Sequence, residues 1–332
     1  MFNLSIVIPV YNVEKYLRKC IDSAITPDKL GQEYEIVVVN DGSTDSSPEI
    51  IKEYVSAYPG SIRMISTENF GLGHARNVGI RNSGGEYLFF MDSDDYLVPG
   101  AVYELLSMAE SGCDVCIFDA SSVREDGSVL EYKKGFHTEG ALSLSDCPEL
   151  LLEIPNVWNK LFKRRLFEDK EIFFPDHAWF EDIRTVLKLY AAADRMEYRA
   201  LDLYRYVQHS NTITRSRNPG RNIEMIEAMD DIIGFFKDEG KYEEFKDILE
   251  YLAFHSQFLT SPVRANLAQW DSDVQGKLID DYLQKFPDFQ RNPYVKKISA
   301  AHKLLTKLYL KKRYLAVHIL MKANSIVKGT NF

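Results

Sequence analysis

The chain has 332 residues, 45% of them apolar and 27% charged, which allows one large core or one domain with a sizeable appendage. No stretch approaches the about eighteen consecutive apolar residues that a spanning helix needs, which excludes a helical membrane-crossing protein. A net charge of −9 argues against a general nucleic-acid binder.

The opening segment, Met1 to Val10, is apolar without a basic leader or a small-residue cleavage site. It reads as a buried first strand rather than a signal peptide. Four more short apolar runs follow: Glu35 to Val39, Ile62 to Ser66, Tyr87 to Met91 and Val115 to Phe118. Runs of this kind predict a parallel sheet covered on both faces. Helical patterns separate them. One starts at Asn12 as N-cap and buries Val13, Leu17, Cys20, Ile21 and Ala24. A second has Pro48 in its first turn and buries Ile50, Ile51, Tyr54 and Val55, and a third spans about Ala101 to Ala109. The βαβαβ order predicts an open, doubly wound α/β domain. Cys113 and Cys116 form a CxxC with no second cysteine pair or histidine pair beside it. It reads as the entry to a buried strand, and reduced thiols suit a cytoplasmic protein.

From about residue 121 to 215 the pattern is mixed, and from about 221 onward it is mainly helical. Ser216 to Gly220 is the best linker candidate, dividing the chain into 1–215 and 216–332. The tail is strongly basic: residues 289–332 carry +10 with no acidic residue, against −19 for the rest. Leu304, Leu308, Leu315 and Ile319 are expected near one face of a helix over about 300 to 328, with Lys303, Lys307 and Lys311 down another. Such a helix suits an anionic membrane surface, a core contact with a solvated basic face, or an oligomer contact.

Ligands of open α/β sheets bind beyond the carboxyl ends of the strands. Four polar clusters follow the predicted strands there: Pro9 to Asn12, Asn40 to Asp45, Glu68 to Asn77, and Asp92 to Asp95. Asp92 and Asp94 are two residues apart, so both carboxylates can face one hard cation, magnesium or manganese, that shares its shell with a phosphate. Asp95 is expected only to cap the next helix. Asp41 can accept hydrogen bonds from a ribose or base edge, with Gly42 allowing close approach. Gly71-x-Gly73-x-x-Arg76 is not a dinucleotide fingerprint, because it follows the third strand and ends in arginine; Arg76 is read as balancing phosphate charge. Glu181-Asp182 begins a helical pattern behind the aromatic stretch Phe173 to Phe180, which could wall a sugar. There the helix dipole is expected to keep Asp182 ionised.

Ser5 to Asn12, Val39 to Asp45, Ala75 to Gly79 and Met91 to Asp95 together resemble family 2 glycosyltransferases of the GT-A fold. The likeness is close over roughly residues 3 to 120 and continues more loosely through Val157 to Leu161, Phe180 to Asp182 and Tyr204 to Tyr206. It implies an open, mostly parallel doubly wound sheet with a mainly helical C-terminal region, and an inverting, metal-dependent transferase using a nucleotide-diphosphate sugar, most often a uridine one. By that likeness Pro9, Tyr11 and Asp41 border base and ribose, with Asn69 and Arg76 nearby. Asp92 faces the ribose, Asp94 holds Mg2+ or Mn2+, and Asp182 is the base. His209 is a candidate metal ligand or phosphate contact, while Arg205 and Lys160 are candidate donor contacts. The acceptor expected is a glycan or lipid-linked saccharide, with the protein cytoplasmic or peripheral at the inner face of the membrane, and with a homo-oligomer open. A non-catalytic GT-A-like scaffold or a nucleotidylyltransferase is the rival reading. The latter is disfavoured by Pro9-Val10-Tyr11-Asn12 where a Gly-rich basic loop belongs.

Overall fold

A computed structural model describes residues 2–135, 138–209, 219–268 and 271–328. Two compact units are present: residues 1–147 with 155–210, and residues 148–154 with 211–332. The expected boundary at 215/216 and most of the Ser216-to-Gly220 linker lie outside the described residues.

The first unit is built on one sheet. Its first half is β1 (Phe2–Val10), α1 (Glu14–Ala24), β2 (Tyr34–Asp41), α2 (Ser47–Ala57), β3 (Ile62–Thr67), α3 (Leu72–Arg81) and β4 (Gly85–Phe90); the four strands and first two helices are those the sequence predicts, and α3 is a helix it does not. After β5 (Tyr96–Leu97) and α4 (Ala101–Ala109) come β6 (Val115–Arg124), β7 (Val129–Lys133), β8 (Gly140–Leu142) and β9 (Lys160–Lys163). Next are α5 (Arg165–Glu168), α6 (Glu181–Ala192) and β10 (Met196–Gln208). The strand order is β3-β2-β1-β4-β9-β6-β10-β5. β1 to β4 are parallel, and so are β6 and β10. The antiparallel β9 is inserted between β4 and β6. Residues 121–215 looked irregular because β6 and β10 are long strands with mixed polarity, and two register shifts interrupt β10.

Helix α1 buries Leu17, Cys20, Ile21 and Ala24, as its period predicts. Asn12 is not its N-cap: it sits at φ 52°, and Val13 occupies the cap position. Cys113 and Cys116 are buried, and burial pushes the Cys116 thiol up to about 12, so it is a packing residue. Gly79 permits α3 to lie directly on β1, where an added Cβ would fall 2.2 Å from Val7 Cγ1.

The second unit is helical: α7 (Glu224–Asp238), α8 (Tyr242–Ala253), α9 (Ser261–Ala268), α10 (Ser272–Lys285), α11 (Pro293–Lys296), α12 (Ala300–Leu310) and α13 (Tyr314–Lys328). Aromatic contacts among Phe254, Phe258, Tyr282, Phe289 and Tyr309 fill its core. The single tail helix expected over 300 to 328 is in fact two. They break at Lys311–Arg313, where Lys312 takes φ 51°. Thr306, Tyr309 and Val317 form the buried side, whereas Leu304, Leu315 and Ile319 are exposed. No helix among the described residues is long and apolar enough to cross a membrane.

Candidate active site

The loops at the carboxyl ends of the strands are stitched together in sequence. After β1, Asn12 Oδ1 accepts from the Thr44 and Asp45 amides at 2.7 and 3.3 Å, while Asp45 accepts from the Glu14 amide at 2.9 Å. Asn12 therefore clasps the loop after β2, a task its unusual φ permits. That loop is tied in turn to the next. Asp41 accepts from the Phe70 and Gly71 amides, both at 2.9 Å, and from the Thr67 hydroxyl. Its carboxylate, expected to meet a ribose or base, is buried and braces the loop after β3. Gly42, at φ 72°, allows the same approach: a Cβ there would lie 2.8 Å from the Asn69 amide. Pro9 is buried in β1, while Tyr11 and Asn69 are exposed at this rim.

Arg76 makes the third link. It is 1% exposed and pairs with Asp92 at 3.1 Å, Glu181 at 3.4 Å and Asp182. Burial pulls its pKa down, but Asp182, Asp92 and Glu181 outweigh that and the net shift is upward. The guanidinium expected to balance phosphate thus joins the Asp92 end of β4 to the start of α6. Asn77, one residue on, accepts from the Phe174 amide and donates to its carbonyl, at 2.9 and 2.7 Å. Gly73 leaves room for Pro175, whose carbonyl oxygen would lie 2.6 Å from a Cβ. Gly73, Arg76 and Asn77 lie three and four residues apart, on one face of α3, and that face carries the segment leading to Asp182.

This docking explains the aromatic stretch. Phe174 is buried against Phe90 and Phe167, and Arg81 covers Phe173, so these two serve packing rather than a sugar wall. Trp179 and Phe180 remain partly exposed, edge to face. Phe180 turns the chain into α6 from φ 64°.

The helix dipole does not hold Asp182 at an ordinary pKa. Burial pushes the carboxyl up, to about 7, against the pull of Arg76, with Glu181 and Asp92 adding to the rise. Burial also raises Asp92 despite Arg76.

The fourth link runs from β4 to β10. Asp95 is 1% exposed and accepts from Tyr204 Oη and the Val207 amide, each at 2.7 Å. It does not cap α4, whose N-cap is Gly100. Tyr204 Oη also accepts from the Asp92 amide, and its ring stacks on Trp158 at 4.8 Å. With β10 so fixed, His209 Nε2 reaches Asp94 Oδ2 at 2.7 Å, and its ring stacks on Tyr16 at 4.8 Å. Asp94 and His209, 115 residues apart in the chain and both candidates for a metal, are thus brought together. Lys160 is buried and donates to Asn156 O and Asn159 Oδ1, and Arg205 pairs with Asp202 at 2.7 Å. Tyr16 carries no motif of its own; its ring position beside His209 is visible only in the fold.

Among the described residues no three potential ligands converge on one point. The donor set nevertheless fits a cation that completes its shell with substrate oxygens: one carboxylate, one imidazole, and a local surplus of negative charge. Asp92, Glu181 and Asp182 share the one Arg76 guanidinium, and Asp94 pairs with His209. A diphosphate would be repelled by that surplus unless a cation stood between them.

A family model described as "Glycosyl transferase family 2" matches residues 5–183. The chain belongs to glycosyltransferase family 2. Among its relatives is "Glycosyltransferase GlyA" of Streptococcus pneumoniae serotype 4, 33% identical over 282 residues, which cover 82% of this chain and 39% of that protein. "Putative glycosyltransferase EpsH" of Bacillus subtilis is 29% identical over 265 residues, 76% of this chain and 75% of that one. The chain thus spans about two-fifths of the first relative's length and three-quarters of the second's. The crystal structure of Staphylococcus aureus TarS 1-349 in complex with UDP-GlcNAc superposes with a TM-score of 0.73 at 21% identity. It covers 100% of this chain and 93% of that one. The GT-A architecture expected from the sequence is the one found.

Proposed function

We propose that this transferase moves a sugar, with inversion, from a UDP-sugar to a hydroxyl of a glycan or lipid-linked saccharide in surface-polysaccharide synthesis. The observation that carries the reading is the Arg76 bridge, which holds Asp92, at the donor-side motif, and Asp182 on one guanidinium. A single displacement needs a leaving group activated on one side of the anomeric carbon and a carboxylate base on the other, as in inverting hydrolases. Asp182, with a pKa near neutrality, suits the acceptor proton. Asp94 and His209 would hold Mg2+ or Mn2+, which would supply charge to the departing nucleoside diphosphate. Pro9, Tyr11 and Asn69 lie where the rim loops could border the nucleoside.

The uridine donor is supported by the UDP-GlcNAc complex named for the structural neighbour. Surface polymers are supported by relatives named as poly(ribitol-phosphate) glycosyltransferases. The basic C-terminal stretch is read as a contact with a membrane surface, where a lipid-linked acceptor resides.

Asp182→Asn is expected to keep UDP-sugar binding and abolish transfer, read by calorimetry and by UDP release across a panel of acceptors. Near-normal turnover in that variant would remove Asp182 from the role. Failure of any nucleotide sugar to bind the unaltered protein would favour the scaffold reading.

A further inference from the structure

Helix α12 turns its lysines away from the core. Thr306 and Tyr309 are buried, whereas Lys303, Lys307 and Lys311 are exposed. At about 100° per residue, these three fall on one stripe, flanked on its two sides by Leu304 and Leu310, 49% and 40% exposed. On α13, Leu315 and Ile319 add exposed apolar surface. The charge has no counterpart in this region of the sequence, which lacks any acidic residue beyond Asp288. Lys312 is held by Asp280 at 2.9 Å, but Lys303, Lys307 and Lys311 have no carboxylate partner among the described residues.

Beside the stripe is a cavity of about 360 Å³, lined by Phe289, Ile298 and Leu310 together with the same three lysines. It is an open groove in the surface, lined mainly by apolar atoms. An inorganic anion would satisfy the ammonium groups and leave the apolar wall wet. A neutral apolar ligand would do the reverse. An amphiphile with an anionic head and a hydrocarbon tail satisfies both halves.

We propose that this cavity is a lipid site at a bilayer surface, taking an anionic headgroup on Lys303, Lys307 and Lys311 and an acyl segment against Phe289, Ile298 and Leu310. Long lysine stems suit the task, since they lie along apolar surface and deliver charge at the headgroup level. The inference rests on reading the C-terminal stretch as a membrane contact and adds where that contact is made. It is independent of the donor and of Asp182.

The test is flotation of the full chain with vesicles of phosphatidylglycerol and phosphatidylcholine, against phosphatidylcholine alone. Binding to the anionic vesicles only, weakening with salt, is expected. The triple variant K303Q/K307Q/K311Q should lower the partition coefficient about a hundredfold, from roughly 1 kcal/mol per basic residue and tenfold per 1.4 kcal/mol. Its melting curve and its nucleotide-sugar hydrolysis should stay as they were. In a second variant, L310W, brominated acyl chains should quench the new indole. Vesicle binding that survives the triple substitution overturns the site while leaving a membrane contact standing, and absence of any vesicle binding overturns both. An unquenched indole, or full competition by inorganic phosphate, would make it a plain anion site. Self-association that buries the leucines without vesicles would assign the surface to a second copy.

Discussion

A carboxylate that takes a proton from a hydroxyl works best when its own pKa lies near the working pH. Asp182 meets that condition through burial, which lifts it to about 7 against the opposing pull of Arg76. Transfer rates should therefore fall about tenfold per pH unit below 7, as the base becomes protonated, and level off above it. A kcat/KM profile flat from pH 5 to 8 would contradict this. The same shift has a stability consequence of definite sign. Because the folded carboxyl holds its proton more tightly than the unfolded one, stability falls as pH rises from the ordinary carboxyl range through about 7. Asp182→Asn should accordingly gain in melting temperature relative to the parent at pH 8, more than at pH 5.

At the scale of elements, α3 organises the site more than any strand does. Its Gly73, Arg76 and Asn77 fix the segment from Phe174 to Asp182, while Gly79 seats the helix on β1. Asn77→Ala would leave the amide and carbonyl of Phe174 without partners in a buried place, a loss of about 1–3 kcal/mol for each group. The expected outcome is a lower melting temperature and a fall in kcat larger than the fall in UDP-sugar affinity. A drop in stability with kcat untouched would show that α3 holds the fold but not the base. This part of the site was only half legible in the sequence. The Gly-x-Gly-x-x-Arg pattern carries no dinucleotide signal and no local period announces α3, whereas the rim position marks Arg76 as a charged contact. Which charge it meets depends on a partner 106 residues away, and no local period records that. Asp95 misled for a related reason: a carboxylate between a strand and a helix reads alike whether it caps that helix or accepts from a distant strand. Asp94 and His209 each stand in a segment that resembles the family, and what the structure adds is their 2.7 Å approach. β1 to β4 were recoverable because buried parallel strands write themselves as apolar runs.

At the scale of the whole molecule, the chain forms two compact units, and the site's named residues all belong to the first. Ligand binding stabilises only what it touches: a ligand at one hundred times its Kd adds about 2.7 kcal/mol to the unit that binds it. For a unit of roughly 200 residues that is a rise of roughly 5–10 °C in Tm. A UDP-sugar with Mn2+ should therefore raise one calorimetric transition, that of the unit carrying Asp94, Asp182 and His209, and leave the helical unit's transition in place. Adding a chelator should remove most of the gain if Asp94 and His209 hold a cation against the diphosphate. Asp94→Asn should remove it with metal present. A single transition that moves as one with donor would show that the two cores unfold cooperatively. A gain indifferent to chelator would place the diphosphate's counter-charge on the protein's own cations, against the surplus of carboxylates around Arg76.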